Sequence, residues 1–400
     1  MEEQRKSENA LVPALRFEGF SDPWEQRKAG DRLVVLRGGS PRPIESYITS
    51  DPSGVNWIKI GDVEPGSMYI TRTSERIRRE GVSKSREVFA GDLLLSNSMS
   101  FGRPYILQVN GCIHDGWLLI RDAEGRFDTI FLQQMLSTPS MARQYKALAA
   151  GGVVNNLNSE LVQSATIAFP GKAEQIKIGA LFQKLDSLIA LHQRKHEKLK
   201  TVKQSLLEKM FPKEGEDVPE IRFEGFTDPW EQCKLRDAVD RYDNLRIPIT
   251  ASERIPGTTP YYGANGIQDY VEGYTHQGEY VLIAEDGASD LDNYPTMYVK
   301  GIIWVNNHAH VIQGKQNIAD NQYITWSLKR CDIKPLLTGG TRAKLNAEVL
   351  MDKSIALPII KEQKKIGAFF QKLDLLIALH QRELDILKNL KQALLEKMFV

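Results

Sequence analysis

The stretch EQIKIGALFQKLDSLIALHQR at Glu174–Arg194 occurs a second time, as EQKKIGAFFQKLDLLIALHQR at Glu362–Arg382. An upstream stretch is repeated in the same order, since VPALRFEGFSDPWEQ at Val12–Gln26 returns as VPEIRFEGFTDPWEQ at Val218–Gln232. A repeat of roughly 200 residues is far longer than the unit of a solenoid. The sequence therefore predicts a duplicated domain in which two conserved frames enclose two modules that do not match.

Each long repeat predicts a helix of about 38 residues with apolar side chains every seven positions, which is typical of a coiled coil. The stretches 174–211 and 362–399 are identical at 28 of 38 positions, so each helix is the obvious partner of the other. Parallel and antiparallel pairing are both possible, and an internal twofold axis favours the antiparallel form. The predicted seam consists of Ile178, Leu181, Leu185, Leu188, His192, Leu199, Val202 and Leu206, and of Ile366, Phe369, Leu373, Leu376, His380, Leu387, Leu390 and Leu394.

Two histidines, His192 and His380, interrupt this seam at matching positions. A polar residue in a coiled-coil seam commonly sets the register of the helices. We favour that role over a ligand-binding or pH-sensing one.

The repeats also predict the domain organisation and an α+β fold. Two mixed α/β modules in a pseudo-twofold arrangement are expected, separated by two long helices that pair as an antiparallel coiled coil. Predicted strands are 55–63, 86–98, 281–287, 297–312 and 323–328, and a short helix is predicted at 73–81. The predicted segments are a polar lead-in (1–11), a first module (12–170), a first helical spacer (171–213), a second module (214–358) and a second helical spacer (359–400).

The charge of the chain is balanced as a whole, with 52 basic and 51 acidic residues, but it is unevenly distributed. The first module carries a net charge of +1 and the second −8, whereas the two helical spacers carry +6 and +3. A protein that binds DNA by itself usually has a strongly basic face. A DNA-binding role would therefore require a partner that supplies phosphate contacts.

Composition and motifs argue against several other classes of protein. The sequence shows no apolar run of 18 residues and no secretory signal, so we expect a cytoplasmic protein that does not bind membranes. The three cysteines are widely spaced and are expected to be reduced. The sequence lacks the phosphate-loop, HExxH, GxSxG and GxGxxG motifs, so we do not expect an enzyme.

Two segments of the second module have residue types that are found in metal sites. His308 and His310 form a possible ligand pair, but the sequence offers no evident third ligand, so a structural or base-contacting role is favoured. The acidic stretch Glu285–Asn293 lacks the spacing of an EF-hand and is interpreted as a turn. We therefore predict no metal site.

The combination of repeated motifs resembles the specificity subunit of type I restriction-modification systems over nearly all of residues 12–400. The resemblance rests on the FEGFxDPWEQ segments, on the GGxxxxLN module endings at Gly151–Asn158 and Gly339–Asn346, and on the duplicated helix. It implies two target-recognition domains, each reading one half of a split double-stranded DNA site, with the helices setting the distance between them.

The resemblance also implies partners and cofactors. Two methyltransferase subunits would dock on the chain and modify adenine with S-adenosylmethionine. Two restriction and translocation subunits would add ATP- and Mg-dependent cleavage, and this chain itself would hold no cofactor and perform no catalysis. The alternative is a coiled-coil scaffold whose modules bind proteins and not DNA, which the acidic second module favours.

Candidate base-reading residues are polar side chains in predicted loops, because Arg, Lys, Asn, Ser and His reach base edges and phosphates. For each of them, the alternative is a solvent-exposed loop residue or a core residue, and either is favoured over a base contact. In the first module the candidates are Lys59, Arg72, Arg76, Asn97, Ser98, Ser100 and Arg103. In the second module they are Tyr262, Asn265, Asn293, Asn306, Asn307, His308, His310, Arg342 and Lys344.

Overall fold

The computed structural model describes residues 11–97, 101–150, 156–213, 215–339 and 343–400. The chain forms two compact units. The first contains the residues up to Arg194 together with Gln381–Val400, and the second contains Lys195–His380. The division falls within both long helices, so each unit combines one module with parts of both. The module boundaries given above remain a prediction.

The first unit contains two five-stranded mixed sheets, with strand orders β3-β6-β4-β10-β7 and β2-β11-β8-β9-β5. Short helices cover the second sheet and enclose the main apolar core. The strands are β1 Glu25–Lys28, β2 Val34–Arg37, β3 Ile48–Thr49, β4 Val55–Ile58, β5 Tyr69–Ile70, β6 Glu75–Ile77, β7 Arg86–Val88, β8 Leu93–Ser96, β9 Pro104–Leu107, β10 Gly111–Ile113, β11 Trp117–Arg121 and β12 Thr166–Phe169. The helices are α1 Thr129–Leu136, α2 Pro139–Ala149, α3 Ser159–Ser164 and α4 Lys172–Lys209.

The second unit is built on one six-stranded mixed sheet of order β14-β19-β17-β18-β15-β16. Its strands are β13 Glu231–Lys234, β14 Val239–Arg241, β15 Pro256–Gly263, β16 Gly266–Val271, β17 His276–Ala284, β18 Thr296–Val305, β19 Ala309–Gly314, β20 Leu337–Thr338, β21 Lys344–Leu345 and β22 Ser354–Leu357. Its helices are α5 Leu235–Ala238, α6 Asn321–Lys329, α7 Ala347–Met351 and α8 Ile360–Lys397. The predicted α+β class with mixed sheets and two long helices is confirmed.

The same frame holds both modules. The strand after each repeated DPW sequence pairs antiparallel with the strand before each long helix, as β1 with β12 and β13 with β22. The tryptophans of this sequence, Trp24 and Trp230, are both 2% exposed. Trp24 contacts Phe399 at a ring distance of 6.0 Å, and Trp230 contacts Phe211 at 5.9 Å. The repeated tryptophans therefore anchor the start of each module to a helix end.

The first turn of each long helix repeats the same polar contacts. Arg16 forms a bidentate ion pair with Glu174, and Arg222 forms one with Glu362. In the first unit the next residue, Gln175, donates to the Pro170 carbonyl at 2.9 Å. The identical sequence thus produces the same helix start in both units.

The long helices pair antiparallel in each unit. In the first unit, Lys391 contacts Asp186 at 2.6 Å, and Glu383 contacts His192 at 2.8 Å, so increasing numbers on α4 meet decreasing numbers on α8. In the second unit, Lys203 of α4 contacts Asp374 of α8 at 2.5 Å. The antiparallel prediction is confirmed, and none of the described helices is long and apolar enough to cross a membrane.

One row of the predicted seam differs from the structure. The heptad row at Ile178, Leu185, His192, Leu199 and Leu206 is buried or half-buried, as is its equivalent in α8. The second row lies four residues after the first rather than three, because the apolar positions of a heptad alternate spacings of three and four. Its buried members are Phe182 and His196 on α4, Phe370 and Leu384 on α8, and Met398 just after α8. The predicted row residues Val202, Leu376 and Leu390 are exposed, and Leu181, Leu188 and Phe369 are half-buried.

Two local predictions were wrong. The stretch 73–81 does not form the predicted helix, because it contains β6, whose Arg76 pairs with Asn56 of β4. Only residues 79–81 are helical, as the start of a short 3-10 helix at Arg79–Lys84. The stretch 323–328 is not a strand but lies in α6, which begins where Asp320 accepts a hydrogen bond from the Tyr323 amide at 3.0 Å. All six side chains of this stretch are buried, which removes the helical alternation of polar and apolar residues.

Candidate nucleic-acid interface

Several loops of the second unit meet at one end of its sheet. The amide of Glu285 donates to the His308 carbonyl at 2.9 Å, and the amide of Leu345 donates to the Glu285 carbonyl at 2.7 Å. The side chain of Asn265 donates to the Gly287 carbonyl at 2.9 Å. We call residues 264–266, 285–289, 306–308 and 343–345 the second-unit edge. It collects Asn265, Asn306, Asn307, His308 and Lys344 from the predicted set, and Tyr262 adjoins it through its carbonyl, which accepts from the Asn306 amide at 3.0 Å.

A charged network lies behind this edge. Glu285 accepts hydrogen bonds from Arg246 at 2.7 Å and from Lys344 at 2.8 Å. Burial opposes the charged form of Glu285, yet its pKa is lowered because Lys344 and Arg246 both donate to the carboxylate. Burial likewise opposes the charge of Asp243, whose pKa is lowered by the hydrogen bond from His310. The cations of this edge are therefore neutralised by carboxylates of the same unit.

The buried His310 is part of this network and not a base-reading residue. Its side chain is 2% exposed. Its Nδ1 lies 2.8 Å from an Asp243 oxygen and its Nε2 lies 2.9 Å from the Leu345 carbonyl oxygen. Because both nitrogens are engaged inside the unit, the geometry favours the structural role predicted for His310 over a base contact.

The neighbouring histidine, His308, is different. Its side chain is 37% exposed and its Nδ1 faces an oxygen of Asp286. The carboxylate orients the ring and leaves Nε2 as the ring nitrogen that can meet a base or a phosphate. A DNA contact by His308 therefore stays a prediction, and together with Asn307 this residue presents polar atoms at the surface of the edge.

A metal ion is not the best occupant of the network. Asp243, Glu285 and His310 offer ligand atoms within 4.8 Å of one another. The guanidinium of Arg246 donates to Glu285 and lies 3.7 Å from Asp243, so a cation already compensates these carboxylates. The predicted pair of His308 and His310 is also divided, since the two rings contact different carboxylates.

The ion pairs of this network give a pH-dependent stability. A carboxyl whose pKa is lower in the folded unit contributes stability above its unfolded pKa of about 4, and this stability is lost as the pH falls. We expect the second unit to lose stability below about pH 5 and Glu285→Gln to reduce this loss. At pH 7 the same substitution should lower the free energy of unfolding by about 1–3 kcal/mol, because Arg246 loses its charged acceptor.

Hydrogen exchange of the second unit between pH 4 and pH 7 measures this effect. Glu272→Gln is the matched control, because Glu272 is exposed. An unchanged pH dependence in the Glu285→Gln variant would contradict the assignment of stability to the network.

The first unit has an equivalent edge with the same backbone pattern. The Asn97 amide donates to the Gly116 carbonyl at 3.0 Å, and the Leu157 amide donates to the Asn97 carbonyl at 3.2 Å. Asn97 thus occupies the place that Glu285 has in the second unit. Its side chain donates to the Asp115 carbonyl at 2.8 Å and the residue is 3% exposed. Asn97 therefore fixes the loop from within, which favours the alternative of a core residue over a base contact.

Residues from other loops complete this edge. Asp115 accepts from Ser40 at 3.1 Å and pairs with Arg42 at 3.4 Å and His114 at 2.9 Å. We call residues 37–42, 84–86, 97 and 113–116 the first-unit edge. Arg37, Arg42 and His114 were not among the predicted residues. Their loops are about 75 positions apart in the sequence, as Ser40 and Asp115 are, and nothing in the sequence indicates that they meet.

The other predicted residues of the first unit lie outside the first-unit edge or are exposed beside it. Lys59 pairs with Glu75 at 2.6 Å, and Arg72 pairs with Glu64 at 3.0 Å. Arg76 donates to the Pro52 carbonyl. Arg103 is exposed and directly precedes β9. In the second unit, Asn293 donates to Asp290 at 3.1 Å within the acidic turn. Ser98, Ser100 and Arg342 lie outside the described residues.

Comparison with known proteins gives one consistent family. The family model described as the type I restriction modification DNA specificity domain matches twice, at residues 21–201 and 227–389. A putative type I restriction enzyme specificity subunit from Haemophilus influenzae is 44% identical over 132 residues, which span 33% of this chain and 34% of that relative. The type I restriction enzyme MjaIX specificity subunit from Methanocaldococcus jannaschii is 22% identical, covering 94% of this chain and 92% of that one.

A solved structure supports the same fold. The S subunit of a type I restriction-modification system from M. genitalium superposes with a TM-score of 0.69 at 16% identity. The superposition covers 98% of this chain and 99% of that chain. With the family model matching both copies of the repeat, the chain belongs to the family of type I restriction-modification specificity subunits.

Proposed function

We propose that the chain is the DNA sequence-recognition subunit of a type I restriction-modification complex, in which each unit reads one half of a bipartite, asymmetric site. The observation that carries the proposal is the duplicated frame. The same strand pairing, ion pair and aromatic anchor hold one six-stranded sheet in the second unit and two five-stranded sheets in the first. Unlike modules on equivalent frames suit two unlike half-sites.

The two edges supply the chemistry for reading DNA. Asn307, His308 and Lys344 of the second-unit edge, and Arg103 beside the first-unit edge, offer the side-chain types that bind base edges and phosphates. The paired helices α4 and α8 would set the spacing of the half-sites and dock two methyltransferase subunits. This chain would contribute recognition and no catalysis.

The partners would supply the cofactors. In this proposal the methyltransferase subunits hold S-adenosylmethionine, and two restriction subunits hold ATP and Mg. The near-neutral charge of the chain supports this division, because affinity for DNA grows with the number of phosphates that cations contact.

A map of methylated adenines tests the proposal. Cells with the methyltransferase partner are compared with and without this chain, and a two-part motif with a fixed gap is expected only when the chain is present. His308→Ala should weaken methylation of the motif, and discrimination is expected to change by about 1–3 kcal/mol at positions in one half only. Identical maps with and without the chain would support the protein-binding scaffold instead.

A further inference from the structure

The first-unit edge gathers four cationic side chains from distant parts of the sequence. Arg37 ends β2 and Arg42 follows in the next loop, whereas Lys84 ends a short helical turn and Arg86 begins β7. All four are exposed. The cluster is therefore a surface feature and does not belong to the apolar core.

The backbone brings these segments into contact. The Gly39 amide donates to the Ile113 carbonyl at 3.2 Å, and the Ser85 hydroxyl donates to the same oxygen at 3.3 Å. The loop after β2 and the residue before β7 thus both form hydrogen bonds to Ile113, which directly precedes the loop at 114–116. The cationic side chains lie beside the polar loop that Asn97 supports.

Most of this positive charge is uncompensated. Arg86 donates to the backbone carbonyl of Arg37 at 3.4 Å, and Arg37 donates to that of Asp115 at 3.5 Å. Lys84 donates to the hydroxyl of Tyr47 at 2.5 Å. Arg42 pairs with Asp115 at 3.4 Å, but within the described residues no carboxylate forms an ion pair with Arg37, Lys84 or Arg86. These side chains retain free N–H groups and full charge.

In the second unit, the cations at and behind the edge are paired with carboxylates. There, Arg246 and Lys344 both bind Glu285, and His308 faces Asp286. A cation that already pairs with a carboxylate contributes less binding energy to a phosphate contact, because forming that contact weakens the existing ion pair. The two edges therefore differ in the electrostatic attraction that they can offer to DNA.

We propose that Arg37, Arg42, Lys84 and Arg86 form a phosphate-binding surface for double-stranded DNA, and that the first unit supplies more of the electrostatic affinity than the second. This inference rests on the proposed function and specifies how phosphate binding is divided between the two units. Phosphate contacts fix the position of a protein on the duplex, whereas base contacts give specificity. The first edge would hold the duplex while loops of both units read bases.

The salt dependence of DNA binding by the complex with its methyltransferase partner tests this proposal. In the Arg37→Gln and Arg86→Gln double variant, two phosphate contacts are lost, and the slope of log affinity against log salt should fall by about 1.8. The Arg37→Lys and Arg86→Lys double variant should keep the slope, because it keeps the charge. The methylated motif should be the same in all variants.

Arg143→Gln with Lys146→Gln is the matched control, since both residues are exposed on α2. It removes the same charge and should leave the slope unchanged. If the glutamine variant at the edge behaves like this control while the wild-type complex binds its two-part site, the phosphate surface is refuted and the proposed function stands. If the wild-type complex binds no duplex, both fail.

Discussion

Arg222→Ala is expected to destabilise the second unit by about 3–5 kcal/mol, because it leaves a buried carboxylate without its partner. The Glu362 side chain is 0% exposed, and Arg222 meets both of its oxygens at 2.8 Å. A typical domain is stable by only about 5–15 kcal/mol. Loss of this one guanidinium should therefore remove a large part of the stability of the unit.

Hydrogen exchange in residues 215–339 measures the effect for the second unit alone. Lys234→Ala is the matched control: its ion pair with Asp352 at 3.1 Å is exposed, and such pairs contribute at most about 1 kcal/mol. Adding Glu362→Gln to Arg222→Ala should restore part of the loss, because it removes the unpaired charge. Equal effects of Arg222→Ala and Lys234→Ala would refute the assignment.

The matching ion pair in the first unit makes this test repeatable within one chain. Arg16 contacts Glu174 at 2.7 Å, and the Glu174 side chain is 2% exposed. Arg16→Ala should change exchange in the first unit just as Arg222→Ala does in the second. Equal effects would mean that the repeated Arg–Glu ion pair contributes equally to the stability of two different modules.

The parts of the fold that were predictable are those in which local sequence and packing agree. The duplicated helices and the anchoring of Trp24 and Trp230 follow from repeated motifs that perform the same packing twice. The seam was only half predictable, because a heptad pattern fixes one row of contacts and the choice between Leu181 and Phe182 depends on the partner helix. In the structure Phe182 is fully buried and Leu181 only partly.

The candidate site was less predictable, because it depends on contacts between distant segments. Asn97 and His310 have side chains that suit base recognition, yet their neighbours bury them and use their polar atoms. His310 is buried with both ring nitrogens hydrogen-bonded, whereas His308, two residues earlier, is half-buried and faces Asp286 through Nδ1 alone. The cations Arg37 and Arg86 were missed for the same reason, since a surface cluster assembled by the fold has no pattern along the chain.

Phe211→Ala is expected to lower the free energy of unfolding of the second unit by about 3–5 kcal/mol, the usual cost of removing a buried aromatic ring. Phe211 is 2% exposed and lies between α4 and the second DPW sequence. Its ring lies 5.5 Å from Tyr323 and 5.9 Å from Trp230. The substitution would thus leave a cavity where the helix, α6 and the start of the module meet.

Hydrogen exchange and thermal unfolding measure this loss, with Leu375→Ala as the control because Leu375 is 65% exposed on α8. Phe211→Leu should cost less than Phe211→Ala, since it leaves a smaller cavity. Phe399 occupies the equivalent place in the first unit, where its ring stacks on Phe131 at 5.5 Å. If Phe211 and Phe399 variants each weaken only their own unit, the aromatic anchor acts locally; if Phe211→Ala behaves like Leu375→Ala, the ring is not an anchor.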